Sequence, residues 1–225
     1  NERVLGYLYL PKRATPPYQT ILYGHPGMAF RLPSPQPGEE FLYDFLVKNG
    51  RAFFLPVLKG MYQRRYATES AGLNMNRDRL IEQSKDFRRC IDYLMSRPDV
   101  DPDRLGVYGL SYLGTYVPIL AVGEQRLKAA VLGSTALPSN RSWFLPETDP
   151  LNFLPRFRIP TLMINGRSDF GSPVEACQIP MLRLLGAREQ DKKLVHREGG
   201  HFPSDAHIVF KEALAWFDRY LGPVK

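Results

Sequence analysis

Apolar residues along the chain follow two rhythms. Short compact runs bounded by Gly, Pro or Asn have the length and branching of buried strands: QTILYG (19–24), RAFFLPVL (51–58), LKAAVLGS (127–134), IPTLMING (159–166) and KKLVHRE (192–198). The opening residues, NERVLGYLYLPK, predict another strand over residues 3 to 10. Between these runs the spacing turns helical. Phe41, Leu42, Phe45 and Leu46 share one face of EEFLYDFLVKNG before an Asn49-Gly50 stop, and Leu80, Phe87, Ile91 and Leu94 form the stripe of a long helix ending before Pro98. Phe210, Leu214, Phe217 and Leu221 recur through a last helix stopped by Gly222-Pro223. Such alternation predicts an α/β fold: one domain over residues 1–225, with a mainly parallel sheet and helices on both faces. The Pro-rich, aromatic segment from Thr135 to Arg158 interrupts the pattern and is long enough for a small lid at most.

Parallel sheets bind ligands at the carboxyl ends of their strands, so the residues just past each run bear on function. There the chain carries Gly24 to Met28, then Ser111, Asp169 and His201. Ser111 lies in DRLGVYGLSYLGTYV, an apolar strand that breaks at the serine and continues as a helix. This nearly matches the G-x-S-x-G elbow, except that Leu113 stands where the second glycine belongs and Gly114 follows it. Two outcomes are open: the backbone accommodates leucine while Gly114 takes over the close packing, or the turn is distorted and the serine is poorly aimed. A serine also needs an imidazole to take its proton, and the imidazole needs a carboxylate to fix its tautomer.

Each residue alone has another reading. Ser111 could cap the helix, Asp169 could be a turn residue of NGRSDFGSP, and His201 could be a loop histidine satisfied by the backbone. Their order and their places at strand ends favour the triad. The rival acids are Asp149, Glu175, Glu198 and Asp205; none follows a strand as directly as Asp169, and Glu198 stands only three residues before His201. His25 competes as the base, but YGHPGMA reads better as a loop supplying backbone donors to an oxyanion, from Met28 or Gly27, opposite the N–H of Tyr112.

With GHPG, GLSYLG, NGRSDF and EGGHFP in this order, the chain resembles the α/β-hydrolase superfamily over nearly its whole length. Within it, the sequence looks like the dienelactone-hydrolase and acyl-esterase branch, and GYLYLPKRATPPYQTILYGHPG is similar to hydrolase domains that follow protein kinase domains in some bacterial proteins. The resemblance implies a serine hydrolase of esters with Ser111 as nucleophile, His201 as base and Asp169 as orienting acid. Dienelactone hydrolases use cysteine at the elbow, so Ser111 argues against that particular activity. Members usually have further strands ahead of the one at residues 3 to 10, which implies more chain upstream, including a fused domain.

Composition adds limits. The chain has 225 residues, 44% of them hydrophobic, enough for one substantial core. Its two cysteines, Cys90 and Cys177, fall in segments read as helices and suggest buried free thiols, which fits a reducing, cytoplasmic compartment. No metal-ligand or cofactor motif is present, so no cofactor is expected. The net charge of +7 comes from scattered Lys and Arg, which predicts a solvated basic surface with neither nucleic acid nor membrane as partner. Arg31, Lys59, Arg64 and Arg65 lie in loops on the expected site side, where they either attract an acidic ester or are simply solvated. Trp143 and Phe144 either line an acyl pocket or anchor their loop to the core. The expected activity is hydrolysis of short-chain carboxylic esters; a catalytically silent binding module and a peptidase are the alternatives.

Overall fold

A computed structural model of the chain describes residues 2–66, 72–142 and 144–224. Seven strands form one sheet: β1 (Leu5–Tyr9), β2 (Tyr18–Gly24), β3 (Ala52–Val57), β4 (Val100–Leu110), β5 (Leu127–Gly133), β6 (Thr161–Gly166) and β7 (Lys192–Arg197). Their order is β1-β3-β2-β4-β5-β6-β7. Only β1 pairs antiparallel, on β3; every other pairing is parallel. All residues of β3 and β6 are buried, as unbroken apolar strands must be when both faces of a sheet are covered.

The covering layers are α1 (Asp44–Lys48), α2 (Leu73–Met95), α3 (Ser111–Leu120), α4 (Ile179–Leu184) and α5 (Ala206–Leu221). Gly106 of β4 faces Phe217 and Leu221 of α5, whereas Gly109 faces Val117 and Gly114 of α3. Three positions apart on one strand, these glycines point to opposite faces, so α5 and α3 lie on opposite sides of the sheet. Phe45 of α1 stacks on Phe210 of α5 at 4.2 Å, which puts α1 on the α5 side. The stripe read from the sequence of α2 is the stripe it buries: Leu80, Phe87, Ile91 and Leu94. Cys90 and Cys177 are free and buried, and burial pushes the Cys90 thiol up to about 12.

One expectation needs correction. The helix predicted across residues 39–50 is broken into a 3-10 turn, Glu39–Leu42, and the short α1. Tyr43 between them has φ −142°, because its ring is drawn inward to stack on Phe53 at 4.3 Å. Phe41, assigned to the apolar face, is 60% exposed as a result. The 135–158 connection forms three 3-10 turns, Pro146–Thr148, Pro150–Asn152 and Leu154–Arg156. Leu154 and Phe157 from it are buried in the core. Among the described residues no helix is long and apolar enough to cross a membrane.

Candidate active site

β4 occupies the centre of the sheet and ends in extended backbone at Leu110; Ser111 then takes φ +50° and begins α3. A side chain in that left-handed region costs on the order of 1–3 kcal/mol, so the surroundings must enforce it. Close packing does so. A Cβ on Gly109 would sit 3.0 Å from the Gly114 Cα, and one on Gly114 would sit 3.1 Å from the Thr135 Cβ and 3.2 Å from the Gly109 oxygen. The strand and helix therefore touch through Gly114. Leu113 turns inward instead: it is fully buried, and its N–H donates to the His25 oxygen at 3.0 Å. Room for it comes from Gly24 at the end of β2, where a Cβ would lie 3.1 Å from the Leu113 Cβ.

Ser111, His201 and Asp169 are brought into one line by three separate loops. Ser111 Oγ lies 2.8 Å from His201 Nε2, and His201 Nδ1 lies 2.8 Å from Asp169 Oδ2. A carboxylate only accepts, so Nδ1 carries the proton, and Nε2 is free to accept from the serine hydroxyl. Asp169 is buried and its Oδ1 accepts from the Gly171 N–H at 3.0 Å, which fixes the other oxygen toward the histidine. His201 sits at the tip of a tight turn closed by the Ser204 N–H donating to the Glu198 oxygen at 2.8 Å, with Gly199 at φ +122°. That turn crosses directly over the end of β6: a Cβ on Gly166 would lie 1.7 Å from the Gly200 oxygen.

The rival acids are engaged elsewhere or point away. Asp149 pairs with Arg141 and accepts from Leu151 N, Asp205 caps α5, and the exposed Glu198 lies 3.8 Å from Arg167. Glu175 is in the first turn of a π-helical segment, Val174–Gln178. His25 is completely buried, with Nε2 against the Pro56 oxygen at 2.7 Å and Nδ1 3.3 Å from the Tyr62 hydroxyl. Burial holds its pKa down to about 4, only partly offset by the Pro56 contact.

The 3-10 turn Gly27–Phe30 follows β2, and Met28 and Tyr112 are each the second residue of a helical turn, where an N–H has no helical acceptor. A Cβ on Gly27 would lie 3.8 Å from the Tyr112 Cβ, so the two segments adjoin. Phe30 and Tyr112 meet edge to face at 4.8 Å. Phe144 is half-buried, 6.3 Å from the Tyr116 ring; Trp143 lies outside the described residues. Of the basic residues expected near the site, Lys59 pairs with Glu2, and Arg64 is buried against Asp86, so neither is free for substrate. Arg65 donates to the Arg31 oxygen. Two residues missed in the sequence are exposed aromatics, Phe170 and Phe202, the latter 4.9 Å from the His201 ring. Their signal was position alone, directly after Asp169 and His201. Among the described residues no group of three or more His, Cys, Asp or Glu could hold a metal ion.

The sheet order, the elbow on the central strand and the loops around it define the α/β-hydrolase fold. Three solved structures show the likeness. The chain is 16% identical to Est1E from Butyrivibrio proteoclasticus, described with bound ferulic acid, at TM-score 0.72 over 97% of this chain and 95% of that one. It is 17% identical to a cold-adapted esterase from an Arctic intertidal metagenomic library, at TM-score 0.71 over 99% and 89%. It is also 16% identical to 2,6-dihydroxy-pseudo-oxynicotine hydrolase, at TM-score 0.73 over 99% of this chain and 66% of that one. No family model and no curated protein sequence matches the chain.

Proposed function

We propose that this protein is a serine hydrolase that cleaves carboxylic esters of small acyl groups through an acyl-enzyme. The observation that carries the reading is the unbroken line from Ser111 Oγ through His201 to Asp169, with both contacts at 2.8 Å. In this mechanism His201 Nε2 takes the serine proton as Oγ attacks the ester carbonyl, and Asp169 stabilises the imidazolium that forms. The oxyanion is received by the N–H groups of Met28 and Tyr112. The imidazolium then protonates the leaving alkoxide, and a water activated by the same nitrogen releases the acid. Esterases among the structural neighbours support ester hydrolysis. Small acyl groups fit because the 135–158 connection folds Leu154 and Phe157 into the core. Phe144 contributes to the acyl side of the pocket.

A fluorophosphonate probe, with the modified residue mapped, tests the nucleophile. Labelling at Ser111 and its loss in Ser111→Ala are expected. Asp169→Asn should lower kcat by about 10⁴-fold, because the wrong histidine tautomer is then favoured. A panel of aryl esters should show the best rates on short acyl chains. Faster cleavage of peptide anilides than of esters would make the protein a peptidase, and failure to label would make it a silent module.

A further inference from the structure

Gln178 ends the π-helical segment Val174–Gln178 and is fully buried. Its amide uses all its hydrogen-bonding capacity. Nε2 donates to the Ser172 oxygen at 2.8 Å and the Gly166 oxygen at 3.2 Å, while Oε1 receives Asn165 Nδ2 at 3.1 Å and faces His196 Nε2 at 3.1 Å. The orientation is unambiguous: a flipped amide would set its oxygen against two carbonyls and its NH₂ against that of Asn165. With both hydrogens committed to carbonyls, Oε1 can only accept, so His196 donates from Nε2. Asn165 extends the network, donating to the Thr135 oxygen at 2.7 Å and accepting from the Thr135 N–H at 2.9 Å.

These partners frame the site. Gly166 and Ser172 stand three residues on either side of Asp169, so one side chain spans the base of the acid-bearing loop. His196 belongs to β7, which leads into the His201 turn, and Gly166 is the residue over which that turn crosses. A buried, fully satisfied amide is rigid, whereas losing its two donors would leave two carbonyls unpaired and free the loop to seek water. A π turn is the local device that aims the side chain inward, its extra residue per turn rotating Gln178 beneath the loop.

We propose that Gln178 is a positioning residue: it holds Asp169 against His201 by clamping both ends of the acid loop, with His196 locking the clamp. The proposal rests on the serine-hydrolase reading above. It separates from a general structural role through a double-substitution cycle with Asp169→Asn, read as the rate of fluorophosphonate labelling and as kcat and KM on a short aryl ester. Gln178→Leu is expected to slow labelling and lower kcat by about 10- to 100-fold with KM changed less than about 3-fold, as misplacement of a catalytic group does. In the Asp169→Asn background the same change should cost less than about 3-fold, because the contact it protects is already lost. Should Gln178→Leu not fold, His196→Leu, at a half-buried site, is run through the same cycle, with His196→Gln expected to restore most of the rate by returning a donor. An equal loss in both backgrounds, or no loss in the first, overturns the proposal while leaving the nucleophile assignment standing. Absence of labelling in the unsubstituted protein overturns both.

Discussion

Gly166→Ala is the sharpest perturbation the structure offers. The new Cβ would lie 1.7 Å from the Gly200 oxygen, 2.7 Å from the Gly199 oxygen and 2.9 Å from the Gly200 carbonyl carbon, all backbone atoms that no side-chain rotation can clear. Relief requires a separation near 3.2 Å, a movement of about 1.5 Å. Which partner yields is decided by packing: Gly166 closes a strand buried along its whole length and paired with Arg197, whereas His201 lies in an exposed turn. The turn therefore lifts, carrying His201 with it. A 2.8 Å contact to Ser111 Oγ stretched by that amount passes beyond hydrogen-bond range. Loss of general-base assistance is worth on the order of 10²–10⁴ in rate, or about 3–5 kcal/mol of barrier. Stability should change by less than about 1 kcal/mol, because the displaced turn buries little and alanine restricts the unfolded chain. Steady-state hydrolysis of a short aryl ester, beside a thermal melt on the same sample, measures both. A kcat within about 3-fold of the original would refute the reasoning, as would a loss of stability of several kcal/mol, since the clash would then be absorbed by the sheet.

Leu113→Gly should lower stability by about 3–6 kcal/mol, from the cavity left by a fully buried side chain and the added backbone freedom in a helix, while kcat of the folded fraction stays within a few-fold. Denaturant titration and active-site-normalised rates check it; a rise of about 100-fold in kcat would show that leucine distorts the elbow. His25 is buried neutral with its pKa pushed down to about 4, against about 6.5 in an unfolded chain, so below pH 6.5 the unfolded state binds the extra proton. Its share of stability is complete above pH 6.5 and falls by about 3 kcal/mol as pH drops toward 4. Unfolding free energies measured across that window should be flatter in a His25→Gln variant, and an unchanged slope would count against the assignment.

The strand pattern was legible because β3, β6 and the second half of β4, Leu105–Leu110, are buried on both faces and can tolerate little but apolar residues. That Ser111, Asp169 and His201 each stand just past a strand was legible as well. What local pattern could not carry was contact over distance. Nothing near Tyr43 announces that Phe53 draws its ring out of a helix, and nothing in GLSYLG says that the space for Leu113 is supplied by Gly24, almost ninety residues earlier. Gln178 was invisible for the same reason: an isolated glutamine in an amphiphilic stretch reads as surface until the loop it supports is folded above it. Arg64 was misjudged in the other direction, since it is buried and finds its acid on α2, at Asp86.

The pairing of β6 with β7 sets Gly166 opposite Arg197, leaving Asp169 three residues past the last rung and His201 four past it. The sheet therefore works as a measuring scale for the two loops. A slip of one position along the strands displaces one loop against the other by about 3.3 Å, more than the entire span of the bond that joins their side chains. On the proposed function, reactivity at Ser111 is in this sense a readout of strand alignment: even the first rung, Thr161 beside Lys192, some sixteen ångströms below by strand rise, helps decide whether Asp169 and His201 meet.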